Sequence, residues 1–374
     1  MSTVKWKKHQ ILGSGSFGTV YVASPSNEPN STNVIAVKSA SFPHSYLLKK
    51  ETNFLYELSG CPEIVQCFGD DFSVENNKEV YNVMLEFAPG GTLADLINLP
   101  GKMSERLVAF YTRMILKGLS NIHESFVHCD IKPGNILVFP MKDGTNHLKI
   151  ADFGLAKDAG IKIHSYRGTL VYSSPESVEL GVLETSTDIW SLGCIVIEMI
   201  TGEKIWKNIS RQELINEIVH GEPIIPQNIS DIAKDFLQRC LAKERQKRWT
   251  ADKLLYHPFI VDNFVKVAQN CDQEVFSWIN PLGSCSWTST HDLFSTHVGI
   301  PSCPDNNEHV RNNEDHKQNK DFVNTMMINM ESEDAEFEFD RRHVKVVLLD
   351  MLVAGMDTSS TAVEWVLFEL IKHP

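Results

Sequence analysis

The sequence Val127-His-Cys-Asp130-Ile-Lys132-Pro-Gly-Asn135-Ile-Leu-Val138 decides the fold, because it places an acid, a lysine and an amide on one short loop between apolar residues. Any one of these residue types alone indicates only a turn or a helix cap. Together, and bounded on both sides by apolar runs, they predict a loop that holds a carboxylate, an ammonium group and an amide beside one another.

A second acidic loop, Asp152-Phe-Gly, follows a strand-like run further along the chain. Carboxylate and amide oxygens are ligands that Mg²⁺ accepts, so Asp152 and Asn135 are predicted metal ligands. Transfer of a phosphoryl group to a hydroxyl also needs a carboxylate that accepts the proton and a cation that neutralises the spreading charge. Asp130 and Lys132 fit these two roles.

Upstream, the glycine-rich turn Gly13-Ser-Gly15-Ser16-Phe-Gly18 predicts a flap that binds phosphate. This pattern also opens dinucleotide-binding units, but there a helix follows the glycines, whereas here the β-favouring run Thr-Val-Tyr-Val-Ala follows. A Walker loop is excluded because Thr19 stands where that motif needs lysine. Glycines let the backbone approach the phosphates and direct its N–H groups at them.

Lys38 ends an apolar strand, and the helix predicted after it carries an acid on its apolar face. At spacings of three and four this face contains Leu47, Glu51, Phe54, Leu55 and Leu58. A buried carboxylate without a partner is strongly destabilising, so Glu51 needs a cation, and Lys38 is the predicted one. The alternative is that Glu51 reaches solvent at the rim of this face.

These motifs stand in a chain that divides into regions of different pattern. Residues 5–87 read as a small β-rich lobe with one helix and residues 88–265 as a larger helical lobe, which is an α+β architecture. Residues 266–320 are polar and are predicted to form a low-order linker. Residues 321–374 are predicted to regain order, with a long orphan helix over residues 341–371.

Composition bounds the class of protein and its compartment. The formal charge of −13 argues against binding to nucleic acid. Eight cysteines occur without a Cys-x-x-Cys pair, as expected for thiols in a reducing compartment. The start of the sequence is polar and basic, without the pattern of a secretory signal or an anchor, so the cytoplasm or the nucleus is the predicted compartment.

The motifs resemble those of the eukaryotic protein kinases over residues 5–265, including Ser174-Pro-Glu176 near the end of the set. Lys132 and Thr169 resemble the serine/threonine branch, and the sequence His-Cys-Asp is similar to that of the plant MAP kinase kinase kinases. The resemblance implies a bilobal kinase fold that uses ATP and magnesium. It implies transfer of the γ-phosphoryl group to a protein hydroxyl, with a MAP kinase kinase as the candidate substrate.

The resemblance also implies which residues meet the nucleotide. Leu85 is the expected gatekeeper, and the backbones of Glu86 and Ala88 are expected to hold adenine. The other nucleotide contacts that it implies, besides Lys38 and the glycine-rich turn, are Leu12, Val20, Ala36 and Leu137, the last three of which are expected to sandwich the ring.

Four more residues have implied roles in holding the site together. Thr169 is expected to contact the catalytic acid Asp130. Asp188 is expected to brace the loop that carries this acid. Arg248 is expected to pair with Glu176.

Two positions depart from the family pattern. Cys129 replaces the arginine that in most relatives grips a phosphate on the activation loop, so a neutral thiol removes that charge-assisted pairing. The hypothesis is that basal activity does not depend on phosphorylation of this loop. Gly134 stands where many relatives that prefer arginine-rich substrates have glutamate, so that preference is not expected here.

Residues 321–374 resemble another family, the helix-I region of plant haem-thiolate cytochrome monooxygenases, including Phe337-Glu-Phe-Asp-Arg-Arg-His-Val-Lys345 and Ala354-Gly-Met-Asp-Thr-Ser359. No cysteine follows this segment to supply the thiolate, so no haem is expected. No transmembrane span is expected either, because carboxylates are costly at the centre of a bilayer. The acids that interrupt the apolar run are Asp350, Asp357 and Glu364.

Alternatives stay open for the tail and for the whole chain. One alternative is that the tail is a fused fragment, or the product of a wrongly assembled gene, and that its monooxygenase part is inactive. The other is that the tail forms an amphipathic helix that docks on the kinase or on a partner. For the whole chain, the alternative to an active kinase is a pseudokinase scaffold. Such a scaffold is expected to lack Lys38, Asp130 or Asp152, and all three are present.

Overall fold

The computed structural model describes residues 6–15, 18–25, 34–42, 45–162, 165–207 and 209–269. In these residues a β-rich lobe is followed by a helical lobe, which confirms the predicted bilobal α+β fold. The strands are β1 (Trp6–Gly15), β2 (Gly18–Pro25), β3 (Ile35–Ser41), β4 (Cys67–Glu75), β5 (Lys78–Glu86), β6 (Phe126–Val127), β7 (Ile136–Pro140), β8 (Asn146–Ile150) and β9 (Lys157–Asp158). The helices are α1 (Ser45–Glu57), α2 (Leu93–Ile97), α3 (Glu105–His123), α4 (Pro175–Leu180), α5 (Thr185–Thr201), α6 (Arg211–His220), α7 (Asp231–Cys240), α8 (Ala251–Leu255) and α9 (Pro258–Gln269).

The β-rich lobe is built on an antiparallel sheet with the strand order β1-β2-β3-β5-β4. The glycine-rich turn joins β1 to β2, so strands flank it on both sides as predicted. Lys38 lies on the central strand β3, where it pairs with Val20 of β2 on one side and with Val83 of β5 on the other. A side chain in the middle of a sheet is held by both neighbouring strands, so the position of Lys38 is fixed by the fold.

Helix α1 packs against the sheet through a buried stripe that contains Glu51. The buried residues of the helix are Ser45, Leu48, Glu51, Thr52, Phe54 and Leu55. The prediction that Leu47 belongs to this face is wrong, because Leu47 is 39% exposed whereas Leu48 is fully buried. The stripe is centred on Leu48, from which Glu51, Thr52 and Leu55 follow at spacings of three, four and seven. Successive residues of a helix are rotated by about 100° around its axis, so Leu47 lies to one side of this stripe.

The helical lobe is organised around α5, whose residues from Thr187 to Ile200 are all buried. Helices α3 and α7 pack against it, and α3 also packs against α8 and α9. α5 ends at Gly202, which adopts a left-handed conformation with φ of +73°.

The hairpin of β7 and β8 brings the two acidic loops together. Ile136 at the start of β7 pairs with Ile150 at the end of β8. The loop Asp130–Asn135 runs directly into β7, and Asp152 follows β8 by two residues. Because the strands are antiparallel, both loops lie at the same end of the hairpin.

Two limits of the described chain bear on the sequence predictions. Helix α9 extends over residues 266–269 of the predicted low-order linker, and residues 270–320 of that linker and the predicted fragment 321–374 lie outside the described residues. Among the helices that are described, none combines the length and the apolar character that a membrane crossing requires.

His257, at the junction of α8 and α9, gives the helical lobe a predicted pH dependence. Its Nε2 donates to Asp235 at 2.9 Å, and its Nδ1 accepts the backbone N–H of Phe259 at 3.1 Å. This arrangement suits a neutral ring, and burial lowers the pKa of His257 below its ordinary value. The unfolded chain therefore binds a proton more readily than the folded chain, and stability falls as the pH drops below about 6.5.

We expect His257→Gln to flatten this dependence. The free energy of unfolding is measured in urea between about pH 7.5 and pH 5.5. Its slope against pH should be smaller in the variant than in the wild type, and the difference between the two slopes should be at most about 1.4 kcal/mol per pH unit. His220→Gln, which changes an exposed histidine at the end of α6, is the control and should leave the slope unchanged. Equal slopes for the wild type and His257→Gln would contradict the assignment.

Candidate active site

Three side chains from distant segments meet between the lobes. The Nζ atom of Lys38 lies 2.9 and 2.7 Å from the two carboxylate oxygens of Glu51 and 2.7 Å from Oδ1 of Asp152. The exposed fractions of the Lys38 and Glu51 side chains are 8% and 2%. Glu51 is thus paired in the interior of the protein, and the alternative in which it reaches solvent is wrong.

Electrostatics favours the charged forms of Lys38 and Asp152 in this cluster, whereas burial raises the pKa of Glu51 above its ordinary value. Burial would lower the pKa of Lys38, but the carboxylates of Glu51 and Asp152 raise it above its ordinary value. Burial would raise the pKa of Asp152, but the ammonium group of Lys38 lowers it below its ordinary value. One cation therefore holds two carboxylates, and at neutral pH a charged amine stands beside the second acidic loop.

The loop at Asp152 is held by its neighbours in an unusual backbone conformation. Asp152 has a φ of +66°, in the left-handed region that costs a residue with a side chain of order 1 kcal/mol. Phe153 anchors the turn, because its ring is fully buried and lies edge-on to His128 at 4.9 Å between ring centres. The ring of His128 also hydrogen-bonds the carbonyl of Ala151 at 3.1 Å.

The first acidic loop forms a compact polar cluster. Oδ2 of Asp130 accepts hydrogen bonds from Nζ of Lys132 at 2.6 Å and from Nδ2 of Asn135 at 3.2 Å. Oδ1 of Asp130 accepts from the hydroxyl of Thr169 at 2.8 Å, and Lys132 also donates to that hydroxyl at 3.1 Å. The structure thus brings together the three residues predicted from the loop itself and the one implied by the family resemblance.

Asp188 on α5 supports this loop from below. Its carboxylate is 1% exposed and accepts the backbone N–H groups of His128 at 2.8 Å and Cys129 at 2.9 Å. His123 lies 3.1 Å from the same carboxylate. Cys129 has a φ of +68°, and these hydrogen bonds hold the strained turn that leads into Asp130.

Two glycines allow close backbone approaches at the site. A Cβ atom at Gly168 would lie 2.5 Å from the carbonyl oxygen of Cys129, and Gly168 has a φ of +99°. A Cβ atom at Gly18 would lie 2.5 Å from the carbonyl oxygen of Ser39, and its φ is +142°. Glycine is therefore required where Thr169 approaches the acidic loop and where the flap returns along the sheet.

The residues implied at the nucleotide lie on strands of both lobes. Leu12, Gly13 and Gly15 lie on β1, Gly18 and Val20 on β2, Ala36 on β3, Leu85 and Glu86 on β5, and Leu137 on β7. Ala36 and Leu85 are buried in the main core, against which Val20 and Leu137 pack. Ser16, the remaining contact that the resemblance implies in the turn, lies outside the described residues.

The donor set of Asn135 and Asp152 fits magnesium. Nδ2 of Asn135 donates to the carbonyl and carboxylate oxygens of Asp130, which leaves its Oδ1 as an acceptor. One carboxylate oxygen of Asp152 binds Lys38, which leaves the other. In the described residues there is no group of three or more His, Cys, Asp or Glu side chains that could hold a metal alone. Two hard oxygen ligands suit Mg²⁺ bound together with a phosphate, because this ion keeps few protein ligands.

Glu176 and Arg248 form a buried ion pair that fastens the segment after Thr169 to the helical lobe. The guanidinium group donates to the two carboxylate oxygens at 2.5 and 2.7 Å. The side chain of Arg248 is fully buried and that of Glu176 is 9% exposed. The pair that the resemblance implies is present in the structure.

Some residues that support the site were missed by sequence reasoning. His123 contacts Asp188, and no sequence pattern marks it. His128 contacts the second acidic loop, and although it stands in the quoted His-Cys-Asp motif, no role was predicted for it. Lys149 on β8 donates to the carboxylate of Glu86, which lies 63 positions earlier in the sequence. A lysine in an apolar strand was the available signal, but its partner is set by the fold.

Comparison with known proteins assigns most of the chain to one family. Residues 6–260 match the family described as "Protein kinase domain". The chain is 36% identical over 309 residues to "Mitogen-activated protein kinase kinase kinase 20" of Arabidopsis thaliana, covering 76% of this chain and 89% of that protein. It is 39% identical over 274 residues to "Mitogen-activated protein kinase kinase kinase 18" of the same organism, covering 69% and 78%.

A second match concerns only the tail. Residues 304–374 match the family described as "Cytochrome P450". This segment contains the stretch 321–374 in which the sequence resembles haem-thiolate monooxygenases, and it lies outside the described residues.

Proposed function

The chain belongs to the protein kinase family and is a serine/threonine kinase, and from this premise we propose that it acts as a MAP kinase kinase kinase. The proposed reaction transfers the γ-phosphoryl group of ATP to a hydroxyl of a MAP kinase kinase, in the cytoplasm or the nucleus. The observation that carries an active enzyme rather than a scaffold is the contact of Lys38 with both Glu51 and Asp152. A scaffold needs none of these three charges to converge.

The geometry gives each polar side chain a task. Bound MgATP supplies the phosphoryl group and the divalent charge. Asp130, which Thr169 and Lys132 hold in place, orients the substrate hydroxyl and accepts its proton. Lys132 offsets negative charge as the phosphoryl group moves. Lys38 is positioned by Glu51 to bind phosphate oxygens, and Asn135 and Asp152 offer oxygens to the metal.

A panel of purified MAP kinase kinases tests the proposed substrate class. Incorporation of label from [γ-³²P]ATP should occur on a serine or threonine of at least one member of the panel. The same assay with a generic acceptor such as myelin basic protein reports kinase activity by itself. Labelling of the generic acceptor with no labelling across the panel would overturn the MAP kinase kinase assignment and leave the kinase assignment standing.

We also propose that basal activity is independent of phosphorylation on the activation segment. Cys129 is buried, its thiol donates to the carbonyl of Val127, and burial raises its pKa, so it stays neutral and cannot pair with a phosphate. Two of the cations near Cys129 are already engaged, since Lys50 donates to the carbonyl of Ala156 and Lys157 to two other backbone carbonyls, whereas Arg167 lies on the activation segment itself. Thr169 reaches Asp130 in this arrangement.

The double variant Ser165→Ala/Tyr166→Phe should therefore keep most of the wild-type kcat. Both residues are exposed on the segment, and the Tyr166 hydroxyl bonds only Gly168 and Ser173 in the part of the chain that the structure describes. The measurement is kcat with a saturating protein substrate, before and after treatment of the wild type with a phosphatase. Loss of about 90% of kcat in the variant, or on phosphatase treatment, would refute the independence.

A further inference from the structure

A polar network at the junction of the lobes is not used by the catalytic contacts. Nζ of Lys149 donates to both carboxylate oxygens of Glu86, at 2.9 and 2.7 Å. The same carboxylate accepts the backbone N–H of Gln66 at 3.3 Å, and the N–H of Glu86 donates to the carbonyl of Gln66 at 2.9 Å. The exposed fractions of the Lys149 and Glu86 side chains are 13% and 25%, so the pair is partly shielded from water.

The two ends of this ion pair belong to opposite sides of the expected adenine site. Glu86 is the last residue of β5 and begins the connector between the lobes, Glu86–Gly91. Lys149 on β8 is the pairing partner of Leu137 on β7, one of the residues implied to sandwich the adenine ring. The ion pair therefore joins the connector to the hairpin that carries Leu137.

The connector is attached to the helical lobe at its far end by backbone hydrogen bonds. The N–H of Gly90 donates to the carbonyl of Val138 at 3.1 Å, and the N–H of Val138 donates to the carbonyl of Gly91 at 3.0 Å. A Cβ atom at Gly90 would lie 2.7 Å from that carbonyl of Val138, so this contact is close. At the near end, the attachment to the hairpin is the pair of Glu86 and Lys149.

Between these two attachments lies Ala88, the other residue whose backbone is implied to hold adenine. Its carbonyl accepts the N–H of Gly91 at 3.3 Å. Its own N–H makes no hydrogen bond with any residue that the structure describes, so it is free to donate to a ligand. The height of this donor above Leu137 is set by how the connector is attached on either side.

We propose that Lys149 is a positioning residue for ATP, which acts through the carboxylate of Glu86. Its ion pair holds the Ala88 N–H at the distance from Leu137 that an adenine ring needs. Without the ammonium group, the Glu86 carboxylate keeps one weak hydrogen bond, from Gln66, and turns toward solvent to be hydrated, which lets the connector relax. This inference rests on the proposed function in one respect only, namely that the bound nucleotide is ATP.

The test compares nucleotide binding in three variants of the full chain. Lys149→Met keeps most of the side-chain volume and removes the charge, whereas Lys149→Arg keeps the charge and can still donate twice to a carboxylate. Lys142→Met removes an exposed lysine from the turn of the same hairpin and is the matched control. The readouts are the Kd of the fluorescent analogue mant-ATP and the KM for ATP and kcat with myelin basic protein.

We expect Lys149→Met to raise both the Kd for mant-ATP and the KM for ATP about fivefold, with kcat within about twofold of the wild type. Lys149→Arg should recover most of the affinity, and Lys142→Met should match the wild type. If Lys149→Met does not fold, Glu86→Gln removes the same ion pair, and the same increase is expected in it.

The proposal is overturned by an unchanged Kd in a folded Lys149→Met or Glu86→Gln protein, or by a fall in kcat without a change in KM. A lower melting temperature at unchanged Kd would equally assign the pair to stability alone. Because mant-ATP binding needs no protein acceptor, failure of the MAP kinase kinase assay leaves this test intact.

Discussion

Replacing Asp130 by asparagine is expected to lower kcat by about 10²- to 10⁴-fold, the contribution typical of a positioned general base. Both carboxylate oxygens are used, Oδ1 by Thr169 and Oδ2 by Lys132 and Asn135. An amide at this position cannot accept the proton of the substrate hydroxyl. Its NH₂ group would also face hydrogen-bond donors, either Thr169 or Lys132 and Asn135, where the carboxylate offers an acceptor. The measurement is steady-state phosphorylation of a protein acceptor with labelled ATP.

The binding of ATP should survive this change, because Asp130 makes no contact with Lys38 or Glu51 in the described structure. The Kd for mant-ATP should stay within about twofold of the wild type, so the loss belongs to the chemical step. Asp231→Asn, on α7, changes an acid whose side chain is 97% exposed and should leave kcat unaltered. A kcat of Asp130→Asn above about one tenth of the wild-type value would point to another base.

The Lys38–Glu51 pair shows what could be predicted from sequence. A carboxylate on an apolar helix face has to find a cation, and the strand just before the helix offers one, so burial energetics alone name the partner. The same reasoning failed for Leu47, because the apolar spacing allowed two phases of the stripe and only the packing on the sheet selects the one centred on Leu48.

Other contacts could be named only through the family resemblance. Asp188 receives the N–H groups of residues 128 and 129, about 60 positions earlier, and Arg248 reaches Glu176 across 72 positions. No local pattern carries such pairings, because they depend on how helices stack in three dimensions. The ion pair of Lys149 with Glu86 has the same character and was not anticipated by either route.

Arg248→Ala is expected to give the largest loss of stability, about 3–5 kcal/mol, because it leaves the carboxylate of Glu176 buried without a partner. The guanidinium group has a full set of acceptors: besides Glu176 it donates to the carbonyls of Ala242, Lys243 and Ser186. It also lies 4.9 Å from the centre of the Trp190 ring. Urea unfolding at neutral pH measures the change.

A surface ion pair in the same region supplies the control. Arg245 binds Glu184 at 2.9 Å, but the two side chains are 34% and 51% exposed, so Arg245→Ala should cost less than about 1 kcal/mol. Arg248→Lys should also be strongly destabilised, because a lysine keeps the charge but not the planar set of donors. The double variant Glu176→Gln/Arg248→Met, which leaves no unpaired charge, should be more stable than Arg248→Ala. An Arg248→Ala protein that lost no more stability than Arg245→Ala would contradict this explanation. The buried carboxylate of Glu176 would then not need its cation, and apolar packing would hold the segment after Thr169.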